Sequence, residues 1–159
     1  MTASAEDIGF WDWASREPGR LALVDPAERR VTFGELRVAC NQVANGLLDM
    51  GLKPGDGVAA IFPNSPEFYE VLLAALQIGL YFTPINHYLA APEIAYVLID
   101  CEAKALFSHQ QYGESTLKAL AAVPPKATAD VPTNPDPVID TEVPAGPSAG
   151  VSPATCGTW

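Results

Sequence analysis

Along the first part of the chain, segments whose apolar residues have helical spacing alternate with short, almost uninterrupted apolar runs. Spacings of four, three and four residues place one set on a single helix face: Leu36, Cys40, Val43 and Leu47. A Thr-x-x-Glu capping box at Thr32 and Glu35 predicts where this helix begins, and Gly51 predicts its end. Residues 57–62 then form an almost uninterrupted apolar run, which is typical of a strand covered on both faces.

Two short β-prone runs, residues 21–25 and 29–32, precede that helix. Pro26 lies between them and presets the backbone angle of a type I turn. This pattern predicts a small N-terminal hairpin.

The alternation of strand and helix continues to about residue 123. Ser65 and Pro66 have the residue types of an N-cap and a first helical position, so a helix is predicted over 66–79. Further strands are predicted at 80–85 and 104–108, with helices beginning at Pro92 and spanning 114–123. Short links between alternating elements favour right-handed crossovers. The predicted fold class is α/β, a partial parallel sheet with flanking helices.

The character of the sequence changes after residue 123. Eight of the fifteen prolines lie between residues 124 and 159, and no hydrophobic period continues there. Such a composition does not offset the entropy lost on ordering. We therefore predict an α/β segment over 1–123 and a Pro-rich linker or disordered tail over 124–159.

Composition narrows the classes of partner. The chain has 19 acidic and 9 basic residues, so nucleic acid is not expected as a partner.

Targeting and membrane segments are not expected either. The start of the sequence has neither the positively charged residues nor the apolar core of a signal peptide, which predicts a cytoplasmic protein. The most apolar window, residues 71–85, is too short for a membrane span, so no integral membrane segment is predicted. Reduced, structural thiols are expected at Cys40, Cys101 and Cys156, because they are odd in number and far apart.

The stretch GLKPGDGVAAIFPNSPEF contains three glycines, which invites comparison with a phosphate-binding loop. Such loops need glycines between a strand and the following helix. Here Gly51, Gly55 and Gly57 all precede or begin the strand, and the segment after it has none. The stretch therefore indicates a helix stop and a turn.

The order of these motifs resembles the N-terminal part of the AMP-forming acyl-CoA synthetases, within the adenylate-forming superfamily. The resemblance extends over about residues 7–120 and is carried by VTFGELRVACNQVANGLLDMGLKPGDGVAAIFPNSPEFYEVLLAALQIGLYFTPINHYLAAPEIAYVLIDCEAKALF. It implies ATP-dependent activation of a carboxylic acid, with Mg²⁺, followed by transfer of the acyl group to coenzyme A. "PIN" followed by "APEIAYVL" favours the fatty-acyl or related carboxylate ligases.

The residues that carry charge in that family are missing from the sequence. Its phosphate loop reads approximately Thr-Ser-Gly-Thr-Thr-Gly-x-Pro-Lys, and the nearest match is limited to Thr155, Gly157 and Thr158. The family's Thr-Glu metal pair, ribose aspartate and C-terminal-domain lysine have no counterpart either. We therefore assign no catalytic, cofactor-binding or metal residue to this chain; ATP, Mg²⁺ and coenzyme A are implied for the full-length family.

A few single residues could still carry function. His87 and His109 each follow a predicted strand, where α/β sheets place ligands, although surface or packing roles are the alternative. Ser65 lacks the Gly-x-Ser-x-Gly surroundings of a nucleophile and is interpreted as a cap. An aromatic anchor onto the core, or a stacking surface for a ligand, is predicted for Phe10, Trp11 and Trp13.

Three hypotheses follow, and whether the chain is an enzyme stays open among them. The first is an N-terminal fragment of a carboxylate–CoA ligase, truncated or frame-disrupted and inactive alone. The second is a non-catalytic interaction module that pairs with the rest of a ligase or with an intact relative. The third, a flavodoxin-like nucleotide binder, has the fold but lacks a glycine-rich or acidic ribose site.

Overall fold

The computed structural model describes residues 9–124. The predicted tail, apart from Pro124, lies outside this range. The domain boundary at residue 123 therefore stays a prediction. The elements in chain order are α1 (Phe10–Arg16), β1 (Leu21–Val24), β2 (Arg30–Thr32), α2 (Phe33–Asp49), β3 (Gly57–Ile61), α3 (Pro66–Gln77), β4 (Tyr81–Pro84), α4 (Ala91–Asp100), β5 (Ala103–Ser108), a 3₁₀ turn (Gln110–Tyr112) and α5 (Gly113–Ala122).

Three parallel strands form the main sheet in the order β4-β3-β5. Val58 of β3 aligns with Phe82 of β4 on one side and with Ala105 of β5 on the other. Helices cover both faces, so the predicted α/β class with a partial parallel sheet is confirmed. None of the helices within residues 9–124 is long and apolar enough to cross a bilayer.

The uninterrupted apolar run of β3 is explained by burial on two faces. Val58 and Ala60 pack in a core with Leu47 of α2 and Val71 of α3. Ala59 and Ile61 point to the opposite face, into a second core that α4 and α5 complete. All five residues of β3 are buried, as a central strand between two helical layers requires.

Local capping fixes both ends of α2. The Glu35 N–H donates to the Thr32 hydroxyl at 3.2 Å, and the Thr32 N–H donates to the Glu35 carboxylate at 2.8 Å. At the other end Gly51 has a φ of 84°, and the Leu52 N–H donates to the Leu47 carbonyl at 3.2 Å. The predicted capping box and glycine stop are both confirmed.

The predicted hairpin is present as the antiparallel pair β1-β2. The Asp25 carboxylate shapes its turn, accepting N–H bonds from Ala27 and Arg29 at 2.9 Å each. The hairpin forms its own two-stranded sheet, separate from the three-stranded main sheet.

Two local details differ from the sequence-based expectation. Phe10–Arg16 forms a helix that the pattern did not predict, because its aromatic residues suggested only an anchor. Ser65 does occupy the N-cap position of α3, but its side chain makes no capping hydrogen bond. The main local signal for the start of α3 is therefore Pro66, because its fixed φ angle suits the first helical position.

Candidate functional site

The carboxyl edge of the sheet is where an α/β fold places ligands, so the site is built from the segments that leave the strands there. These segments are residues 62–65 after β3, 85–90 after β4 and 109–112 after β5. Asp, Glu, Lys and Arg are absent from all three. These three segments therefore bring only neutral and aromatic side chains to the edge.

The structure brings both candidate histidines to one tyrosine that sequence reasoning did not single out. The His87 ring stacks on Tyr112 with centroids 4.9 Å apart and planes 23° from parallel. His109 lies 6.2 Å from the same tyrosine, and Tyr88 lies 4.2 Å from His87, centroid to centroid. We call these four residues the aromatic cluster. The missed signal was Tyr112 itself, three residues beyond a histidine at a strand end.

His109 is held by hydrogen bonds that give it a local structural role. Its N–H donates to the Ile61 carbonyl at 2.9 Å, and its Nδ1 accepts from the Gln111 N–H at 3.3 Å. It therefore caps the 3₁₀ turn that carries Tyr112. Within residues 9–124 no hydroxyl or carboxylate is bonded to either histidine side chain in the manner of a nucleophilic triad.

The chemistry of these three segments is limited by their lack of charged side chains. Aromatic faces can stack on a planar ring, but a triphosphate needs cations and multiple aligned donors. No cluster of three or more His, Cys, Asp or Glu within residues 9–124 is arranged to hold a metal ion. The residues described do not fit the ATP phosphates and Mg²⁺ that the resemblance implies, so no reaction step is routed through them.

A groove of about 510 Å³ lies between the hairpin and the start of α3. Its walls are formed by Leu23, Val24, Asp25, Pro26, Asn64, Ser65, Pro66 and Tyr69. Arg29 connects the two sides, donating from Nη2 to Glu67 at 2.6 Å and from Nε to Asp25 at 3.1 Å.

Opposing effects set the carboxyl pKa values beside this groove. Burial raises the pKa of Glu67, but the hydrogen bond and the charge of Arg29 outweigh burial and leave that pKa below its ordinary value of 4.5. Burial, together with the charge of Glu67, raises the pKa of Glu70 above 4.5. Arg29 is engaged by two carboxylates of its own chain, which gives it the role of a structural link between hairpin and helix.

The other candidates have structural surroundings. Burial and the nearby Glu70 raise the pKa of the Cys40 thiol to about 12, which disfavours the reactive thiolate. Cys101 is half-buried and contacts the Leu98 carbonyl, with Sγ 3.8 Å from the oxygen. Cys156 and the partial phosphate-loop match at Thr155, Gly157 and Thr158 lie outside the described residues.

The N-terminal aromatic residues attach α1 to the start of α2, although none of them packs in either of the two cores as predicted. Phe10 lies 5.8 Å from Phe33, centroid to centroid, and so joins α1 to the start of α2. The Arg20 guanidinium lies 4.1 Å from the centre of the Trp13 ring. One face of Trp13 is thus occupied by a cation–π contact within the chain. Trp11 is half-buried and packs edge-on against Phe10.

Comparison with known proteins defines the class to which this fold belongs. The sequence model of the family described as "AMP-binding enzyme" matches residues 10–153, and the chain belongs to that family. The match continues past residue 123 into the segment predicted to be a tail.

Curated relatives narrow the class to acyl-CoA ligases. A feruloyl-CoA synthase from Amycolatopsis sp is 40% identical over 124 residues, covering 74% of this chain and 24% of the relative. Long-chain-fatty-acid–CoA ligase FadD13 of Mycobacterium tuberculosis is 33% identical over 120 residues, covering 75% of this chain and 23% of the relative. The chain thus spans about a quarter of the length of the curated relatives it matches.

Solved structures agree with this assignment. A fatty acyl-CoA synthetase of Mycobacterium tuberculosis superposes with a TM-score of 0.63 at 31% identity, covering 76% of this chain and 23% of the other. A benzoate-CoA ligase of Burkholderia xenovorans gives 0.67 at 20% identity, covering 71% and 23%, and shows the fold alone. The resemblance to the N-terminal portion of an adenylate-forming acyl-CoA synthetase is confirmed.

Proposed function

We propose that this chain supplies the N-terminal α/β scaffold of an ATP-dependent, AMP-forming carboxylate–CoA ligase, and that it does not catalyse the reaction alone. In the proposed reaction a carboxylate attacks the α-phosphorus of ATP and pyrophosphate leaves. The coenzyme A thiol then attacks the acyl carbonyl and AMP leaves. Feruloyl and long-chain-fatty-acid relatives share a carboxylic acid substrate, so we propose that class for the intact ligase.

The observation that carries the proposal is the absence of charged residues from the three segments that leave the strands at the carboxyl edge of the sheet. Adenylation develops negative charge around the α-phosphorus and on the departing pyrophosphate, and loss of one placed donor costs on the order of 10²- to 10³-fold in rate. Segments 62–65, 85–90 and 109–112 offer no cationic side chain to that charge. We propose that the phosphate and metal ligands are supplied from outside residues 9–124, by the remainder of a ligase.

The cellular setting follows from the same proposal. We propose a cytoplasmic protein whose partners are ligase segments, with no role in binding nucleic acid. The net charge of −10 supports the second point, because phosphate backbones attract basic surfaces.

The test is a product assay on the purified 159-residue chain. Incubation with ATP, Mg²⁺, hydroxylamine and either ferulate or a long-chain fatty acid should give neither acyl-hydroxamate nor pyrophosphate. An intact relative such as FadD13 serves as the positive control with the fatty acid. Pyrophosphate released by the chain in proportion to its concentration, and dependent on the acid, would overturn the proposal.

The second candidate is a non-catalytic interaction module, and exposed aromatic and apolar side chains favour it. Tyr81, Tyr88 and Leu76 are 72%, 85% and 58% exposed, far more than large apolar residues of a closed core. Size-exclusion chromatography of the chain mixed with an intact acyl-CoA ligase distinguishes the two. Stoichiometric co-elution supports the module, whereas separate elution supports the scaffold alone.

A further inference from the structure

The groove between the hairpin and the start of α3 is a concave surface that the proposed scaffold role does not use. Its volume of about 510 Å³ lies within the range of pockets that hold small organic molecules. One wall is formed by residues 23–26 of the hairpin, and the other by residues 64–66 together with Tyr69. The Arg29–Glu67 ion pair joins the two walls.

Most of the groove lining is apolar, and part of it is exposed. Val24 is 53% exposed on one wall, and Tyr69 is 43% exposed on the other. Leu23, Pro26 and Pro66 add further apolar surface. Covering this surface removes it from water, which favours a ligand with an apolar body.

Tyr69 also brings an aromatic ring to the groove. The ring meets Phe68 edge to face, with centroids 5.4 Å apart and planes 88° apart, and its exposed part is directed to solvent. The faces of a tyrosine ring are negative and attract cations. The apolar wall is therefore also suited to a positively charged group.

The ionic groups that join the walls have a negative balance. One guanidinium, that of Arg29, is shared by two carboxylates, those of Asp25 and Glu67. Hydrogen bonds, above all from the Arg29 N–H, lower the pKa of Asp25 below its ordinary value of 3.8, so this carboxyl is ionised at neutral pH. The surplus charge of the three groups is thus negative.

The wall supplied by α3 belongs to a stretch of sequence without basic residues. Residues 54–103 include six Asp or Glu and no Lys or Arg. On the hairpin turn the charges of Glu28 and Arg30 have opposite signs and offset each other. The groove therefore favours a cation over an anion.

Asp25 can still accept a hydrogen bond from a ligand. A carboxylate has about four acceptor positions. Three of those on Asp25 are used, by the Ala27 N–H at 2.9 Å, the Arg29 N–H at 2.9 Å and the Arg29 Nε–H at 3.1 Å. On the other wall the exposed Asn64 side chain supplies an amide oxygen. The groove thus offers a charged and a neutral acceptor to one donor group.

We propose that this groove binds an organic cation, an ammonium or guanidinium group carried on an apolar body. The cationic group bonds to Asp25 and Asn64, and the body packs against Tyr69 and Val24. A free amine and the Lys or Arg side chain of a polypeptide share this chemistry.

Titration of phenylpropylamine into the 159-residue chain, followed by NMR spectroscopy, tests the proposal. We expect saturable shifts of the Val24, Asn64 and Tyr69 amides, and weaker binding at high salt because salt screens the charges. Phenylpropionate has nearly the same body and the opposite charge, so it should not shift these amides.

A blocked phenylalanyl-arginine peptide, titrated in the same way, identifies the source of the cation. Tighter binding of the peptide than of the amine assigns the site to a side chain of a partner polypeptide. Tighter binding of the amine assigns it to a free small molecule.

Substitutions on the two walls test the contacts. Asp25→Asn removes the charge and keeps an acceptor for the turn, and it should weaken amine binding by about tenfold. Tyr69→Ser should weaken it by about threefold. Tyr96→Ser is the matched control, because Tyr96 is an exposed helical tyrosine, on α4, that does not line the groove. It should leave the affinity unchanged.

Three results would overturn the proposal: no saturable shift at the groove, equal shifts with the amine and the carboxylate, or an affinity that Tyr69→Ser leaves unchanged. Since Tyr69→Ser does not alter the hairpin turn, it decides the question even where Asp25→Asn loosens that turn. Unchanged amide signals from β3 show that each variant is folded. None of these readouts depends on ligase activity.

Discussion

The Arg29 guanidinium lies 2.6 Å from the Glu67 carboxylate, joining the turn of the hairpin to the first turn of α3. The two residues are 38 positions apart. The Glu67 side chain is only 7% exposed, so its charge depends on this partner. Arg29 also bonds Asp25 at 3.1 Å, which shares one cation between two carboxylates.

Replacing Arg29 by alanine should therefore destabilise the fold. Glu67 would keep its burial and lose its partner, at a cost of about 2 kcal/mol in the free energy of unfolding. This lies below the range for fully buried pairs, because the Arg29 side chain is 38% exposed. Urea denaturation followed by circular dichroism measures the change.

The neighbouring Arg30→Ala removes the same charge at an exposed position of β2 and is the matched control. The double variant Arg29→Met, Glu67→Gln should recover part of the loss, because no buried charge is left behind. Equal destabilisation by the two arginine substitutions would show that the ion pair contributes nothing specific.

The raised pKa of Glu70 predicts how the stability of the fold changes with pH. Its pKa is raised in the folded state, so its contribution to stability is present below the ordinary value of 4.5 and is lost as pH rises through the folded pKa. Glu70→Gln should therefore become progressively more stable than the unaltered chain as pH rises above 4.5. Thermal unfolding from pH 4 to 8 measures this difference.

Glu28→Gln removes one charge from an exposed turn position and is the control for net charge. The opposite sign holds for Glu67, whose lowered pKa gives a contribution that is lost as pH falls below 4.5. A stability difference between Glu70→Gln and the unaltered chain that stays constant with pH would contradict the assignment.

Two glycine substitutions should act in opposite directions. A Cβ on Gly57 would lie 2.9 Å from the Cys101 carbonyl oxygen, a backbone atom that cannot move aside easily. Gly57→Ala should cost about 1 to 3 kcal/mol in the free energy of unfolding. Gly46→Ala, in α2 with open space around the new Cβ, should stabilise by roughly 0.5 to 1 kcal/mol. Denaturant midpoints that move together would contradict the geometry.

Cys40 should be inert while the chain is folded. With its pKa near 12 and its side chain buried, it should resist iodoacetamide at pH 8 and react only after unfolding. Peptide mapping by mass spectrometry, with and without urea, measures the labelling of Cys40 separately from that of the other cysteines. Rapid labelling of Cys40 in the native protein would refute the prediction.

Elements set by neighbouring residues could be predicted from the sequence. The Thr32 capping box and the Gly51 stop each depend on contacts within five residues, and both were found as expected. The apolar run of β3 predicted a strand with two covered faces, because only a central strand needs no polar side.

Contacts between distant elements could not be predicted in the same way. Nothing in the local sequence pairs Arg29 with Glu67. An arginine at a hairpin turn and a glutamate in the first turn of a helix are both common without any such contact. The stacking of His87 on Tyr112 depends on the positions of β4 and β5 in the sheet, which local sequence does not specify. The capping hydrogen bond expected from Ser65 was wrong, because its buried hydroxyl has no hydrogen-bond partner among the described residues even though the residue occupies the N-cap position.

Titration of Mg²⁺-ATP into the 159-residue chain by calorimetry tests the scaffold account most directly. A scaffold without phosphate ligands gives no saturable heat at millimolar nucleotide, whereas an intact acyl-CoA ligase under the same conditions binds. Stoichiometric binding at micromolar ATP, lost when the phosphates are removed, would mean that this chain holds the nucleotide by itself.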